Sequence, residues 1–153
     1  MYIKLYHGTS KVKIEEMLKN GTKKIYLTSD SDQAEYYAEC AAEDDDSESV
    51  IAIVEVNINM LKADLPSFDE PLTFILDFND LSEDEWHKAI ESGDIPYPKI
   101  NDWKTSLKYA QTALAVGDIK PSQIFIGEAD LSEEDLLKIE SAIKNKEKNK
   151  VKP

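Results

Sequence analysis

The stretch LYHGTSK (residues 5–11) places a histidine and a glycine between an alternating apolar segment and two hydroxyl residues. The alternation of apolar and polar residues before it predicts a strand over residues 2–6. Thr9 or Ser10 can then cap a helix. The stretch is therefore a strand end that turns directly into a helix. Two interpretations of His7 are open: a partly buried structural histidine, or one wall of a ligand site.

Gly8 and the second stretch, IYLTSDSDQAEYYA (residues 25–38), favour the ligand site. A glycine at this point lets another molecule approach the backbone closely. The second stretch repeats the order of strand, polar turn and helix, with Tyr26 on the strand. Two such units can place His7, Tyr26 and several hydroxyls around one cleft, where a helix N-terminus favours anions. The alternative for Tyr26 alone is packing in the core. The hydroxyls are those of Thr9, Thr28 and Ser29.

The rest of the chain mixes strands and helices without the regular alternation of a doubly wound sheet, which predicts an α+β fold. Strands are predicted at 50–58, 72–78 and 123–126, a loop at 65–71, and a helix over 81–93 that Ser82 and Glu85 begin as a capping box. Residues 103–116 are ambiguous between helix and strand. Ser132 is predicted to cap a final helix that turns Leu136, Leu137, Ile139 and Ile143 inward. We expect a single domain over residues 1–143 and a lysine-rich tail over 144–153.

The charge of the chain limits which classes of molecule it can bind. The formal net charge is −13, and all 18 basic residues are lysines. Such a surface repels nucleic-acid phosphates and suits a basic partner. Without arginine, no bidentate guanidinium clamp can form, so anions must be held by amides, hydroxyls, helix N-termini or lysines. The single Cys40, the lack of a signal peptide and the absence of a long apolar run predict a cytoplasmic protein without a membrane span.

Metal and nucleotide motifs are missing from the sequence. His7 and His87 are far apart, and no HExxH, GxGxxG or P-loop pattern occurs. We therefore expect a site that works without a metal.

LYHGTS followed by IYLTSDSDQAEYYA resembles the first two motifs of the ADP-ribosyltransferase superfamily, in the branch marked by His, then Tyr, then an acidic or variable third residue. This branch includes diphtheria-toxin-like toxins, poly(ADP-ribose) polymerases and tRNA 2′-phosphotransferase. The resemblance covers residues 3–42 best. It implies two small, mostly antiparallel sheets with flanking helices and an NAD⁺ cleft between the sheets. Removal of RNA 2′-phosphates is disfavoured, because this acidic chain without arginine is ill suited to gripping RNA.

The resemblance also implies roles for individual residues. His7 would hydrogen-bond the adenosine ribose, and the backbone of Gly8 would hold the nicotinamide amide. Tyr26 would stack on the nicotinamide ring, while Tyr36 or Tyr37 would line the same pocket. The implied function is an NAD-dependent mono-ADP-ribosyltransferase, such as a toxin or effector, whose acceptor is a macromolecule, with protein favoured over nucleic acid.

The third motif of the family usually carries a catalytic Glu some residues before a stretch similar to I-x-P-x-x-I. Residues 119–124 match that stretch, and counting back leads to Gln111. Glutamine can hydrogen-bond a ribose hydroxyl but has no charge with which to stabilise a cation. Glu55 and Glu128 are weaker matches by position. The alternative function is therefore a binding or regulatory module of the same fold with weak or no catalysis.

Overall fold

The computed structural model describes residues 1–127 and 130–151, with side chains of the last helix described to residue 144. Within these residues, six strands form one sheet: β1 (Tyr2–Ser10), β2 (Thr22–Thr28), β3 (Ser49–Asn57), β4 (Leu61–Lys62), β5 (Thr112–Ile119) and β6 (Ile124–Ile126). The same residues include seven α-helices: α1 (Lys11–Asn20), α2 (Ser31–Asp45), α3 (Leu65–Asp69), α4 (Thr73–Asn79), α5 (Glu83–Ser92), α6 (Trp103–Tyr109) and α7 (Glu133–Val151). No helix of this described part is long and apolar enough to cross a membrane. Glu128 and residues 152–153 of the predicted tail lie outside it.

The sheet has the strand order β4-β5-β2-β1-β3-β6, and every neighbouring pair is antiparallel. The predicted α+β class is confirmed. One sheet is found where two small ones were expected. Its two halves meet between β1 and β2, which are joined through the pair Tyr6–Thr28. By contrast, β1 and β3 pair along their full lengths. The centre of the sheet is therefore its most weakly joined seam.

Helix α2 lies directly against β1, and Gly8 makes this possible. A Cβ atom on Gly8 would fall 1.8 Å from the carbonyl oxygen of Ala34 and 2.8 Å from the amide nitrogen of Ala38. Both alanines are fully buried, so small side chains on this face of α2 let the helix approach the strand closely. The lack of a side chain at Gly8 is thus required by helix packing, in addition to the predicted approach of a ligand, which stays a prediction.

Two segments between β4 and α5 are helical, although the sequence predicted a loop for one and a strand for the other. The expected loop at 65–71 contains α3, which Asp64 caps through its side chain while Pro66 occupies the first turn. The expected strand at 72–78 is α4. Its apolar residues Leu72, Ile75 and Leu76 follow helical spacing and pack into a second hydrophobic cluster around Trp86. The apolar and aromatic content of the segment suggested a strand, but packing against this cluster decided otherwise.

The ambiguous segment at 103–116 is divided between α6 and β5. The division falls at Gln111, whose φ of 60° lies in the left-handed region and ends the helical path. Helix α5 begins with the predicted capping box. In α7, Ile139 is buried and Ile143 packs against the main core as predicted.

Leu136 and Leu137 are 45% and 62% exposed, so their predicted burial is wrong. The inward stripe of α7 is defined instead by Ile139, Ala142 and Ile143, because these residues have the i, i+3, i+4 spacing of one helix face.

Candidate functional site

A cavity of about 670 Å³ opens where β1 and β2 diverge. Beyond the pair Tyr6–Thr28, the described parts of β1 and β2 share no further ladder pair. Backbone groups that face the gap between these two strands are therefore not paired across it. The strand walls of the cavity are Tyr6, His7, Gly8 and Thr9 from β1, and Lys24, Ile25, Tyr26, Leu27 and Thr28 from β2. The volume lies within the range of small-molecule sites. The two predicted motifs are therefore brought together at one cavity.

His7 spans the gap between the diverging strands. Its Nδ1 lies 2.8 Å from the carbonyl oxygen of Tyr26, and because a carbonyl can only accept, Nδ1 carries the hydrogen and donates. Burial chiefly, with the nearby charge of Lys13, lowers the pKa of His7 from its ordinary 6.5, against the opposing effect of the Tyr26 hydrogen bond. Near pH 7 the ring is neutral. Its Nε2 is then an acceptor suited to a ligand hydroxyl.

Tyr26 and Tyr37 supply the aromatic surface of the cavity. Tyr26 is 43% exposed, and the Nζ of Lys24 lies 5.9 Å from its ring centroid. An exposed aromatic ring at a cavity wall can stack on a planar ligand group. Tyr37 reaches the cavity from α2, whereas Tyr36 is not among the lining residues and packs edge-to-face against Phe74. Of the two predicted alternatives, Tyr37 is therefore the one on the cavity wall.

Thr28, Ser29 and Gln111 form the joint between β2 and β5. The hydroxyl of Thr28 donates to the carbonyl of Gln111 at 2.8 Å and accepts from the amide of Asp30, so it has no hydrogen left for a ligand. The amide of Ser29 donates to the same carbonyl. Ser29 and Gln111 are not among the lining residues, although Thr112, next in the chain, is. In this structure Gln111 acts through its backbone, holding the end of β2 in place.

The N-terminus of α1 already has an anionic partner within the protein. Ser10 caps this helix by accepting from the amide of Lys13, and its hydroxyl donates to Asp45 at 2.5 Å. Lys13 and Asp45 also form an ion pair at 3.5 Å. The hydroxyl group of Ser10 is therefore not free for a ligand anion. Thr9 lines the cavity and makes no side-chain hydrogen bond within the described residues, so its hydroxyl is available to water or a ligand.

A third wall comes from the segment around α3, which sequence reasoning assigned to a loop. Asp64, Pro66, Ser67, Glu70 and Leu72 all line the cavity. A local signal for this helix is present in the sequence: Asp-Leu-Pro-Ser has an N-cap residue, then proline and serine within the first turn. Nothing local shows that this turn meets the two motifs, since that contact depends on the whole fold.

Asp64 is the buried charged group of this wall, with 4% of its surface exposed. Its carboxylate accepts from the hydroxyl of Ser67 at 2.9 Å and from the Ser67 amide at 3.4 Å. The hydroxyl of Ser67 accepts in turn from Thr112, whose carbonyl accepts from Ser106. Burial chiefly, and the negative charge of Asp64, raise the pKa of Tyr37 to about 12, against a weaker opposing effect of Ser67. Tyr37 is thus a neutral hydroxyl beside an anionic group.

Among the residues that the structure describes, no three His, Cys, Asp or Glu side chains are grouped so that they could hold a metal ion. Comparisons of the chain with protein-family models, with curated proteins and with solved structures find no match.

Proposed function

We propose that the protein binds NAD⁺ in this cavity and transfers its ADP-ribose to a macromolecular acceptor, with a protein acceptor favoured by the acidic surface. The observation that carries the proposal is the convergence of His7, Gly8 and Tyr26 at one opening in the sheet. These are the residues to which the family resemblance assigns the NAD⁺ contacts. The weakly joined seam between β1 and β2 supports the proposal, because it leaves an opening within the single sheet where a ligand can meet both motifs.

The residues fit a dinucleotide in chemical terms. The Nε2 of neutral His7 can accept from a ribose hydroxyl, and backbone groups at Gly8 can pair with a carboxamide. The ring of Tyr26 offers a stacking surface, with Tyr37 on the facing helix. Lys24 supplies positive charge for phosphates in a chain that has no arginine, and Lys13 adds to it although it also pairs with Asp45.

In the proposed reaction, the bond between ribose C1′ and the nicotinamide nitrogen breaks. Its electron pair goes to the ring, which leaves as neutral nicotinamide. A nucleophile of the acceptor forms the new bond to C1′ and releases its proton to water. The contribution of the protein is positioning and stabilisation of positive charge on the ribose.

One observation favours a second candidate, an NAD⁺-binding module without turnover. Gln111, the residue at the expected position of the catalytic carboxylate, is uncharged and is not on the cavity wall. Incubation of the protein with labelled NAD⁺ and a cell lysate separates the two functions. Label in protein supports the transferase, and binding without label transfer supports the module.

Binding itself is tested by thermal melting with NAD⁺. A ligand at 100 times its Kd stabilises the folded state by about 2.7 kcal/mol, so the melting temperature should rise. We expect His7→Ala and Tyr26→Ala to remain folded and to lose this rise.

Tyr2→Ala is the matched control, because Tyr2 is an exposed tyrosine on the strand of His7 and is not a lining residue. This variant should keep the full rise in melting temperature. A wild-type protein whose melting temperature does not respond to NAD⁺ would refute the proposed function.

A further inference from the structure

Asp64 stands out as a buried carboxylate on the cavity wall without a cationic partner. Only 4% of its surface is exposed, yet its two hydrogen-bond donors both belong to the neutral Ser67. Among the described residues, the ion pairs are Lys13–Asp45 and His87–Glu83, and neither includes Asp64. A buried charge is costly unless it is paired, so such a group at a cavity is a signal of function rather than of stability.

The two other carboxylates on the cavity wall, Glu16 and Glu70, are exposed to solvent. Glu16 also accepts a hydrogen bond from Asn20 at 2.7 Å. Water screens an exposed charge, whereas the same charge in a buried position acts on a ligand through a lower effective dielectric constant. Burial therefore separates Asp64 from its acidic neighbours as the group that would favour positive charge in the cavity.

The position of Asp64 is firmly held. It caps α3, its own amide donates to the hydroxyl of Ser106 at 2.9 Å, and that hydroxyl donates to the carbonyl of Thr112 at 2.6 Å. Ser106 in α6 and Thr112 at the start of β5 are both fully buried. A charge held by such a network needs little rearrangement to act on a ligand, which is the condition for electrostatic stabilisation.

We infer that Asp64 is the residue that recognises positive charge in the cavity. The inference rests on the proposed NAD⁺ function. In the bound state the carboxylate would favour the cationic nicotinamide ring. As the bond from C1′ to nitrogen breaks and its electrons neutralise the ring, the positive charge moves to the ribose, and the same carboxylate stabilises it. Asp64 would thereby supply, from a different element, the charge that Gln111 lacks.

The test compares the affinities of NAD⁺ and NADH, which differ by the positive charge on the ring. We expect wild-type protein to bind NAD⁺ about tenfold more tightly than NADH or better, since one charge near a buried carboxylate has an energy of this order or more. Asp64→Asn should weaken NAD⁺ binding about tenfold and change NADH binding less than about twofold. Asparagine keeps a capping oxygen for α3, so this variant preserves the local hydrogen bond to the Ser67 amide.

Glu70→Gln is the matched control, because it removes the same charge from an exposed position on the same wall. It should leave the preference for NAD⁺ within about twofold of wild type. Ser67→Ala removes a hydrogen-bond donor but keeps the charge, and should retain the preference for NAD⁺.

The outcomes separate this inference from the proposed function. Wild-type protein that binds NAD⁺ and NADH equally, or an Asp64→Asn variant that keeps the wild-type preference, overturns the role of Asp64 and leaves NAD⁺ binding intact. Wild-type protein that binds neither nucleotide overturns both proposals. The wild-type comparison holds even if Asp64→Asn fails to fold.

Discussion

Neighbouring residues in the HGT motif have different physical tasks. His7 joins the two diverging strands through the carbonyl of Tyr26 and presents its other nitrogen as an acceptor. Gly8 lies in the same cavity wall, but it must be a glycine because α2 packs too closely against it to leave room for a side chain. One motif therefore contributes both to the wall of the cavity and to the packing of α2. Substitutions of these two residues should be separable, because one changes binding and the other changes folding.

Replacement of Gly8 by alanine should destabilise the protein by at least about 2 kcal/mol, because the new methyl group would overlap backbone atoms of Ala34 that cannot rotate away. The measurement is the free energy of unfolding in urea. Gly127→Ala is the control, since no heavy atom lies within 4 Å of the position of its Cβ, and it should change stability by less than about 0.5 kcal/mol. Equal effects of the two substitutions would contradict the packing role of Gly8.

His7 should make the stability of the protein depend on pH below neutrality. Because its pKa is lower in the folded protein than the ordinary 6.5, the unfolded chain binds more protons between those two values. Stability from this residue is therefore complete above pH 6.5 and is lost as the pH falls towards the folded-state pKa. We expect the difference in unfolding free energy between wild type and His7→Gln to shrink over this window in urea titrations. A difference that stays constant from about pH 7.5 to about pH 5, the range in which histidines usually titrate, would count against a neutral His7 with a lowered pKa.

At the scale of elements, the cavity depends on helices that lie between β4 and β5 in sequence. Helix α3 presents Asp64 and Ser67 to the cavity, and Phe68 on the same helix packs at 1% exposure in the second hydrophobic cluster. The indole Nε1 of the fully buried Trp86 on α5 donates to the carbonyl of Phe68 at 3.0 Å. The second cluster thus holds the third wall of the cavity in position.

Trp86→Phe should lower the free energy of unfolding by about 2 kcal/mol, because it leaves the Phe68 carbonyl without its donor and removes buried volume. Since α3 is anchored by this contact, the stabilisation by NAD⁺ should decrease as well. Trp103→Phe makes the same chemical change in the main core and is the control. It should lower stability but preserve the response of the melting temperature to NAD⁺. If both variants respond to NAD⁺ like the wild type, the second cluster does not support the site.

At the scale of the whole molecule, the net charge is strongly negative, whereas the cavity wall carries charges of both signs. The chain carries −13 overall, but the cavity wall combines the lysines 13 and 24 with the buried Asp64. A uniform acidic field would disfavour a dinucleotide, since its phosphates are anionic. Lysines from α1 and β2, together with a buried carboxylate beside α3, instead suit a ligand that carries both negative and positive charge.

Much of the secondary structure could be predicted from local sequence. Alternation and capping residues identified β1, β3, α1, α2 and α5, because those patterns depend on neighbours within a few positions. The strand predicted over residues 2–6 is too short, however, because β1 runs on to Ser10, so His7 lies within the strand rather than at its end. Local signals conflicted at 72–78, where the apolar and aromatic content favoured a strand and the spacing of Leu72, Ile75 and Leu76 favoured a helix. Packing against the hydrophobic cluster around Trp86 decided for the helix.

By itself, the sequence determined the α+β class, the two strand–helix units and the absence of arginine. Only the tertiary structure decided that Asp64 and Ser67 lie in the same cavity as His7, that Gly8 serves helix packing, and that Gln111 acts through its carbonyl. The reason is the distance along the chain: Thr28 meets Gln111 83 positions away. Contacts of that separation depend on how the strands order in the sheet, and local propensity does not encode that order.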